Sequence, residues 1–194
     1  PAVIHGGPFA NIAHGTNSII ADKIALKFAD YVVTETGFGT DLGAEKFFDI
    51  VVRTGNVPPP DACVIAATIR AIKRHGGVSL DKVKEENIEA LEKGFSNLEK
   101  HIENIRIFGI PLVVALNKFP SDTDREIEEF LRLCEEYNAK AAVCDVWAKG
   151  GEGGIELAKA VMEVIDTEKK NFNFLYPLDI PLREKIEIVA KKIY

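Results

Sequence analysis

Long hydrophobic runs are missing from this 194-residue chain. The longest, Cys63 to Ile69 and Ile110 to Leu116, fall well below the roughly 18 to 20 residues that a membrane-spanning helix needs. A transmembrane reading is therefore excluded. Positive charge is also in deficit, with 24 Lys and Arg against 30 Asp and Glu for a net charge of −6. Phosphate neutralisation supplies most nucleic-acid affinity, and an acidic chain without a Lys/Arg stripe or an aromatic-rich sheet motif cannot provide it. Cysteine is scarce: Cys63, Cys134 and Cys144 are odd in number, far apart and without C-x-x-C spacing, which argues against a disulfide framework or a structural zinc site. No basic stretch followed by an apolar one opens the sequence, so no secretory signal is visible and a reducing cytoplasm is the expected compartment.

What the chain does contain is 46% apolar and 28% charged residues, the composition of a globular protein able to bury a sizeable core. Pro1 to Ile4 already reads as a buried strand, and Tyr194 falls inside a helical pattern. The expectation is a piece of a longer protein.

Short apolar, β-branched runs alternate with amphipathic segments, the pattern of βα units around a parallel sheet buried on both faces. Ala2 to Ile4, Tyr31 to Thr34, Ala62 to Thr68, Leu112 to Leu116 and Ala141 to Cys144 read as five strands. The predicted fold class is α/β, a three-layer parallel sheet with flanking helices. Ser18 to Phe28 places Ile20, Ile24 and Phe28 on one helical stripe, with Asn17 or Ser18 as N-cap. From Glu86 to Phe108, the positions Ile88, Leu91, Phe95, Leu98, Ile102 and Ile105 recur at spacings of 3, 4, 3, 4 and 3, a seam that packs on a sheet or a neighbouring helix rather than in a coiled coil. Helices are also predicted for Asp124 to Tyr137, where Ser121 or Thr123 can cap, for Gly154 to Asp166, and for Leu182 to Tyr194 after Pro181. Pro58-Pro59-Pro60 is a stiff spacer. A weak boundary near 100 to 110 divides the chain into portions 1–105 and 106–194.

Ligands of open α/β sheets sit at the carboxyl ends of the strands, and four loops following predicted strands are unusual. His5-Gly6-Gly7-Pro8 through His14-Gly15 offers two imidazoles and a backbone able to approach an anion closely; the plain alternative is a tight turn with solvent-facing histidines. Thr34 to Lys46 carries Phe38 between Gly37 and Gly39, which leaves the ring able to project into a cleft. The third glycine of G-x-G-x-x-G is replaced by Leu42, so a dinucleotide fingerprint fails. Leu116-Asn117-Lys118-Phe119-Pro120 is similar to the guanine-reading N-K-x-D loop, yet Pro120 stands in place of the Asp, and no G-x-x-x-x-G-K-[ST] loop occurs in the 194 residues. A self-sufficient GTPase is excluded. Asp145 to Gly154 places Trp147, the single tryptophan, just after a strand and before a run of glycines. It reads either as a core anchor or, with Phe119, as paired walls for a flat ring; its place at a strand end favours the walls. Arg70, Lys73, Arg74 and His75 form a cation cluster that reads first as a solvated helix end, and second as a surface for an anionic tail.

Together, Ile4 to Ser18 (IHGGPFANIAHGTNS), Val33 to Ile50 (VTETGFGTDLGAEKFFDI), Leu98 to Thr123 (LEKHIENIRIFGIPLVVALNKFPSDT), Asp145 to Gly154 (DVWAKGGEGG) and a late FLYPLDIPLREKIE resemble formate–tetrahydrofolate ligase over essentially the whole chain. The resemblance implies a P-loop NTPase-like core portion, residues 1–105, plus a second, smaller α/β portion, 106–194, carrying folate-stacking aromatics. It implies a cytoplasmic ligase of one-carbon metabolism, in which ATP phosphorylates formate to formyl phosphate and N10 of tetrahydrofolate then displaces phosphate. ATP with Mg²⁺, formate and tetrahydrofolate are the implied substrates, with K⁺ or NH₄⁺ as activating monovalent cation and a homotetramer as the assembly. By position, Trp147 and Phe119 with Pro120 resemble the pterin-stacking walls and Phe38 a further wall toward the nucleotide. His5 lies in the loop near formyl phosphate, as the catalytic candidate, and Ala13 and His14 lie on the adenine side. No metal ligands are assigned. Thr36 and Thr40 stand where small residues such as Ala are expected.

The family's phosphate loop with its lysine, and the arginine held to bind formyl phosphate, are expected before Pro1. This chain alone is therefore expected to be inactive and to work with the remainder of its own chain or a complementing subunit. The rival readings are a non-catalytic folate- or nucleotide-binding module and a stable proteolytic core.

Overall fold

In the computed structural model, residues 2, 13, 15, 16 and 18–194 are described. The chain forms two compact units: Asp61–Arg106 with Ile110–Lys170, and Pro1–Pro60 with Ile107–Gly109 and Asn171–Tyr194.

The first of these is α/β. Strands β1 (Cys63–Ala67), β2 (Leu112–Asn117) and β3 (Lys140–Cys144) lie side by side in that order, all parallel. Parallel neighbours need crossovers of a dozen or more residues, and helices supply them. Between β1 and β2 run Ile69–His75 and Ile88–Ile107, between β2 and β3 runs Asp124–Glu136, and Ile155–Thr167 follows β3. Leu112 through Leu116 are all buried, so the central strand is covered on both faces. On one face, Ala160 and Val164 of the last of these helices meet Val113 and Ala142, with Ala62, Leu157 and Val161 at the rim. Fully burying each such valine is worth about 1.5–3 kcal/mol.

The predicted seam is the buried face of Ile88–Ile107: Leu91, Phe95, Leu98, Ile102 and Ile105 are inside. Phe95 stacks on Tyr137 with centroids 5.2 Å apart and meets Phe130 edge-on. A Cβ at Gly94 would stand 1.9 Å from the Ile72 carbonyl oxygen, and one at Gly76 1.9 Å from that of Ala90. Only glycine lets these two helix backbones touch.

In the other unit, Ser18 caps helix Ile19–Phe28, accepting from the Ala21 amide. The expected apolar stripe is not its buried side. Ile20, Ile24 and Phe28 are 70%, 45% and 84% exposed, whereas Asp22 is buried and accepts hydrogen bonds from the hydroxyls of Thr16 (2.9 Å) and Thr34 (3.4 Å). Polar anchoring overrides amphipathic patterning here. Gly39–Ala44, expected as loop, and the following Phe47–Val52 are wound as π-helix. Their winding buries Phe47, Phe48, Val51 and Val52 together, and Phe48 lies 4.5 Å from Phe108 and 5.8 Å from Phe172, ring to ring. Arg53 closes this unit. Its guanidinium sits 4.0 Å from the Phe174 ring centre and donates to Asp49 Oδ1 (2.6 Å) and the Tyr176 carbonyl (2.8 Å).

Five strands were too many for the described residues, which contain three. Tyr31–Thr34 forms no strand, with Tyr31 61% and Val33 97% exposed; an apolar run becomes a strand only where a neighbour completes its ladder. Most of the Ala2–Ile4 run lies outside the described residues.

Candidate functional site

Because β1, β2 and β3 are parallel and aligned, with Ala67 opposite Leu116 and Asn117 opposite Cys144, the three segments that follow them leave from one edge of the sheet. That carboxyl edge is where α/β sheets bind ligands.

After β1, Thr68 accepts from the Ala71 amide (3.1 Å) and starts the helix that carries Arg70 and Lys73. After β2, the Lys118 amide donates to the Cys144 carbonyl (3.0 Å), tying this loop to the next strand. Phe119-Pro120-Ser121-Asp122 then makes a tight turn in which the Asp122 amide donates to the Phe119 carbonyl (3.0 Å) and the Phe119 amide to Asp122 Oδ2 (2.8 Å). Proline is suited to its second position, since its φ is already set for the turn. Thr123 and Glu126 form a capping box that begins Asp124–Glu136.

Phe119 is half-buried and Pro120 exposed. The Arg70 guanidinium lies over the Phe119 ring, its carbon 4.1 Å from the ring centre, and its Nε and Nη2 donate to Ser121 Oγ at 3.3 and 3.1 Å. Beneath, Lys73 Nζ is 2.7 Å from Glu126 Oε1 with both side chains sealed from solvent, and it also donates to the Glu85 carbonyl (2.7 Å). Glu126 further accepts from the amides of Asn87 and Thr123. The cation cluster is therefore not a solvated helix end: Lys73 is buried and paired and Arg70 covers an aromatic ring, while Arg74 and His75 are exposed. Asp122 is 8% exposed, and its Oδ1 is buried without a hydrogen bond. Burial pushes its carboxyl above the usual range. The Phe119 amide opposes that push, the Glu126 charge adds to it, and Arg70 and Lys73 pull it back.

After β3, the Asp145 amide donates to the Gly153 carbonyl (2.9 Å) and closes a loop at whose tip Val146–Lys149 makes one helical turn. A Cβ on Gly153 would lie 2.3 Å from the Asp145 carbonyl oxygen. Trp147, on that turn, is 79% exposed, which excludes it as a core anchor in this unit. Phe119, Pro120 and Trp147 thus stand on neighbouring loops of one sheet edge.

Phe38 belongs to the other unit. It is 81% exposed beside a hollow of about 70 Å³ lined by Gly37, Phe38, Leu42, Gly43 and Lys46. Ala13 is exposed in that same unit, and His5 and His14 lie outside the described residues. The sequence reading missed Arg70, Ser121, Asp122 and Glu126 as supports of the Phe119 turn. The available signals were the T-x-x-E capping box and the Pro-Ser-Asp turn composition.

All three cysteines are free, and burial pushes the thiols of Cys63 and Cys134 up to about 12, which leaves them inert at neutral pH. Among the described residues, no helix is long and apolar enough to cross a membrane, and no group of three or more His, Cys, Asp or Glu is placed to hold a metal ion.

Against models of known families, residues 1–194 match that of formate–tetrahydrofolate ligase from end to end. The chain belongs to the formate–tetrahydrofolate ligase family.

Proposed function

We propose that this chain supplies the folate-facing part of an ATP-dependent ligase that makes 10-formyltetrahydrofolate. ATP transfers its terminal phosphoryl group to formate, giving ADP and formyl phosphate; N10 of tetrahydrofolate then attacks the formyl carbon, and phosphate departs with the C–O bond electrons. Phe119 with Pro120 and Trp147 serve as walls for the pterin, whose flat faces gain from aromatic stacking without directional bonds. Phe38 is a further wall. His5 serves the phosphoryl oxygens, where an imidazole donor stabilises developing charge, and Ala13 and His14 face adenine. The nucleotide portion is P-loop NTPase-like and the enzyme is a cytoplasmic homotetramer activated by K⁺ or NH₄⁺, readings that rest on the family alone.

The observation that carries this reading is that two aromatic side chains, 79% exposed Trp147 and half-buried Phe119, stand on adjacent loops at the carboxyl edge of a parallel sheet in a chain of this family. The chain contains no G-x-x-x-x-G-K-[ST] loop. By itself it therefore lacks the backbone cradle and lysine that hold β- and γ-phosphates, and we expect no turnover from it alone.

Titration with tetrahydrofolate, read by the fluorescence of the single tryptophan and corrected for absorbance, tests the site. Saturable quenching that disappears in Phe119→Ala is expected. Absence of quenching in a chain that circular dichroism shows to be folded refutes the placement.

A further inference from the structure

Phe119 does not meet its ligand as an ordinary benzene ring. One face carries the Arg70 guanidinium, 4.1 Å from the ring centre, well inside the roughly 6 Å over which a cation and a ring attract. Two nitrogens of that guanidinium donate to Ser121 Oγ, and Ser121 sits in the same turn as Phe119, so cation and ring share one anchor. Guanidinium is charged at every working pH, and at a half-buried position its field is only partly screened. A ligand stacking on this ring would use the opposite face.

A cation on one face draws π density toward itself and makes the other face less negative. Stacking follows the match of ring charge distributions: a bare phenyl face, being negative, favours an electron-poor partner, and a phenyl face depleted from behind favours an electron-rich one. The reduced pterin of tetrahydrofolate has an electron-rich aminopyrimidinone ring. The fully oxidised pterin of folic acid is electron-poor and carries the same aminobenzoyl-glutamate tail.

Resting on Phe119 as a folate wall, we propose that Arg70 is a specificity-determining residue that tunes this wall toward the reduced pterin. It touches the ring, not the substrate, and acts through the ring's charge distribution.

The test is calorimetric titration of the 194-residue chain, under anaerobic conditions, with tetrahydrofolate and with folic acid. The ratio of the two dissociation constants is the readout, because damage to the fold weakens both ligands alike. Arg70→Gln is expected to lower the preference for tetrahydrofolate by about three- to tenfold, the size of a partly desolvated cation–π contact. Arg70→Lys, which keeps the charge but loses the flat double contact to Ser121, is expected to restore part of it. Equal weakening of both ligands in Arg70→Gln overturns the assignment. If Arg70→Gln does not fold by circular dichroism, Ser121→Ala takes its place: it releases the guanidinium without touching the ring, it is expected to lower the ratio in the same direction, and an unchanged ratio overturns the assignment. Phe119→Ala keeps the two ideas distinguishable. Loss of both ligands in that variant with an unchanged ratio in Arg70→Gln leaves the stacking wall standing and removes the role of Arg70. Unaltered binding of both in Phe119→Ala removes the wall and the assignment with it.

Discussion

Replacing Lys73 by methionine removes a buried cation while keeping most of the side-chain volume. In the native protein its ammonium reaches Glu126 Oε1 and the Glu85 carbonyl, each at 2.7 Å, with 1% and 0% of the two charged side chains exposed. Methionine leaves Glu126 buried and uncompensated, and removing one partner of such a pair costs about 3–5 kcal/mol. The lower end applies, because the amides of Asn87 (3.0 Å) and Thr123 (3.2 Å) still donate to that carboxylate. With a urea dependence of about 2 kcal/mol per molar, a loss of ~3 kcal/mol moves the unfolding midpoint down by about 1.5 M. Glu126→Gln keeps the shape and strands the cation instead, for a similar loss. The double variant leaves neither charge of the pair, so a cycle of urea unfolding curves, followed by far-ultraviolet circular dichroism, should give a coupling of about 2–3 kcal/mol between the two positions. Additive single effects, or a Lys73→Met cost under about 1 kcal/mol, would refute the argument that this pair is desolvated and mutually compensating.

Two further outcomes are expected at the same sheet edge. Burial raises the Asp122 carboxyl above its ordinary 3.8, so the folded chain holds that proton more tightly than the unfolded one. Its contribution to stability therefore grows as pH falls through the raised pKa toward 3.8 and is lost as pH rises. Asp122→Asn, whose amide oxygen can still accept from the Phe119 amide, removes this slope, so the melting midpoint of the variant relative to the wild type should be higher at about pH 7 than at about pH 4.5; a relative midpoint that does not change with pH contradicts the burial argument. Gly153→Ala forces a Cβ to within 2.3 Å of the Asp145 carbonyl oxygen and should abolish tetrahydrofolate quenching of Trp147 while the melting midpoint moves by only a few degrees, since the loop it opens is exposed.

What could be read from the sequence was local. The seam of Ile88–Ile107 repeats within one helix, the Thr123 cap needs only Glu126 three residues on, and the Phe119 turn is set by Pro120 and Asp122 within four residues. The errors fall where a partner distant in sequence decides. Tyr31–Thr34 has strand composition but no neighbouring ladder, and helix Ile19–Phe28 is held through Asp22 to Thr16 and Thr34 instead of through its apolar stripe. Lys73 resembles any surface lysine until Glu126, fifty-three positions away, is brought against it. Phe119 and Trp147 were visible in the sequence as aromatics that directly follow strands; the guanidinium over the Phe119 ring was not, because Arg70 follows a different strand.

Phe119 and Trp147, the two proposed folate walls, are held by different means, and on that reading the difference has a chemical consequence. Phe119 is fixed on three sides: by its turn, by Asp122 and by Arg70, which the sealed Lys73–Glu126 pair supports from the same helix. Trp147 stands on one helical turn inside a loop closed by the Asp145–Gly153 contact, with Gly150 in the left-handed region at its exit. Binding energy spent on ordering a side chain is lost from affinity. A pterin laid on Phe119 would meet a surface whose ordering cost was met on folding, whereas contact with Trp147 would draw on whatever freedom its exposed turn retains. On the proposed reading, charge selectivity would belong to the Phe119 wall, where a cation is held 4.1 Å from the ring centre, and the Trp147 wall would fit the ligand's shape.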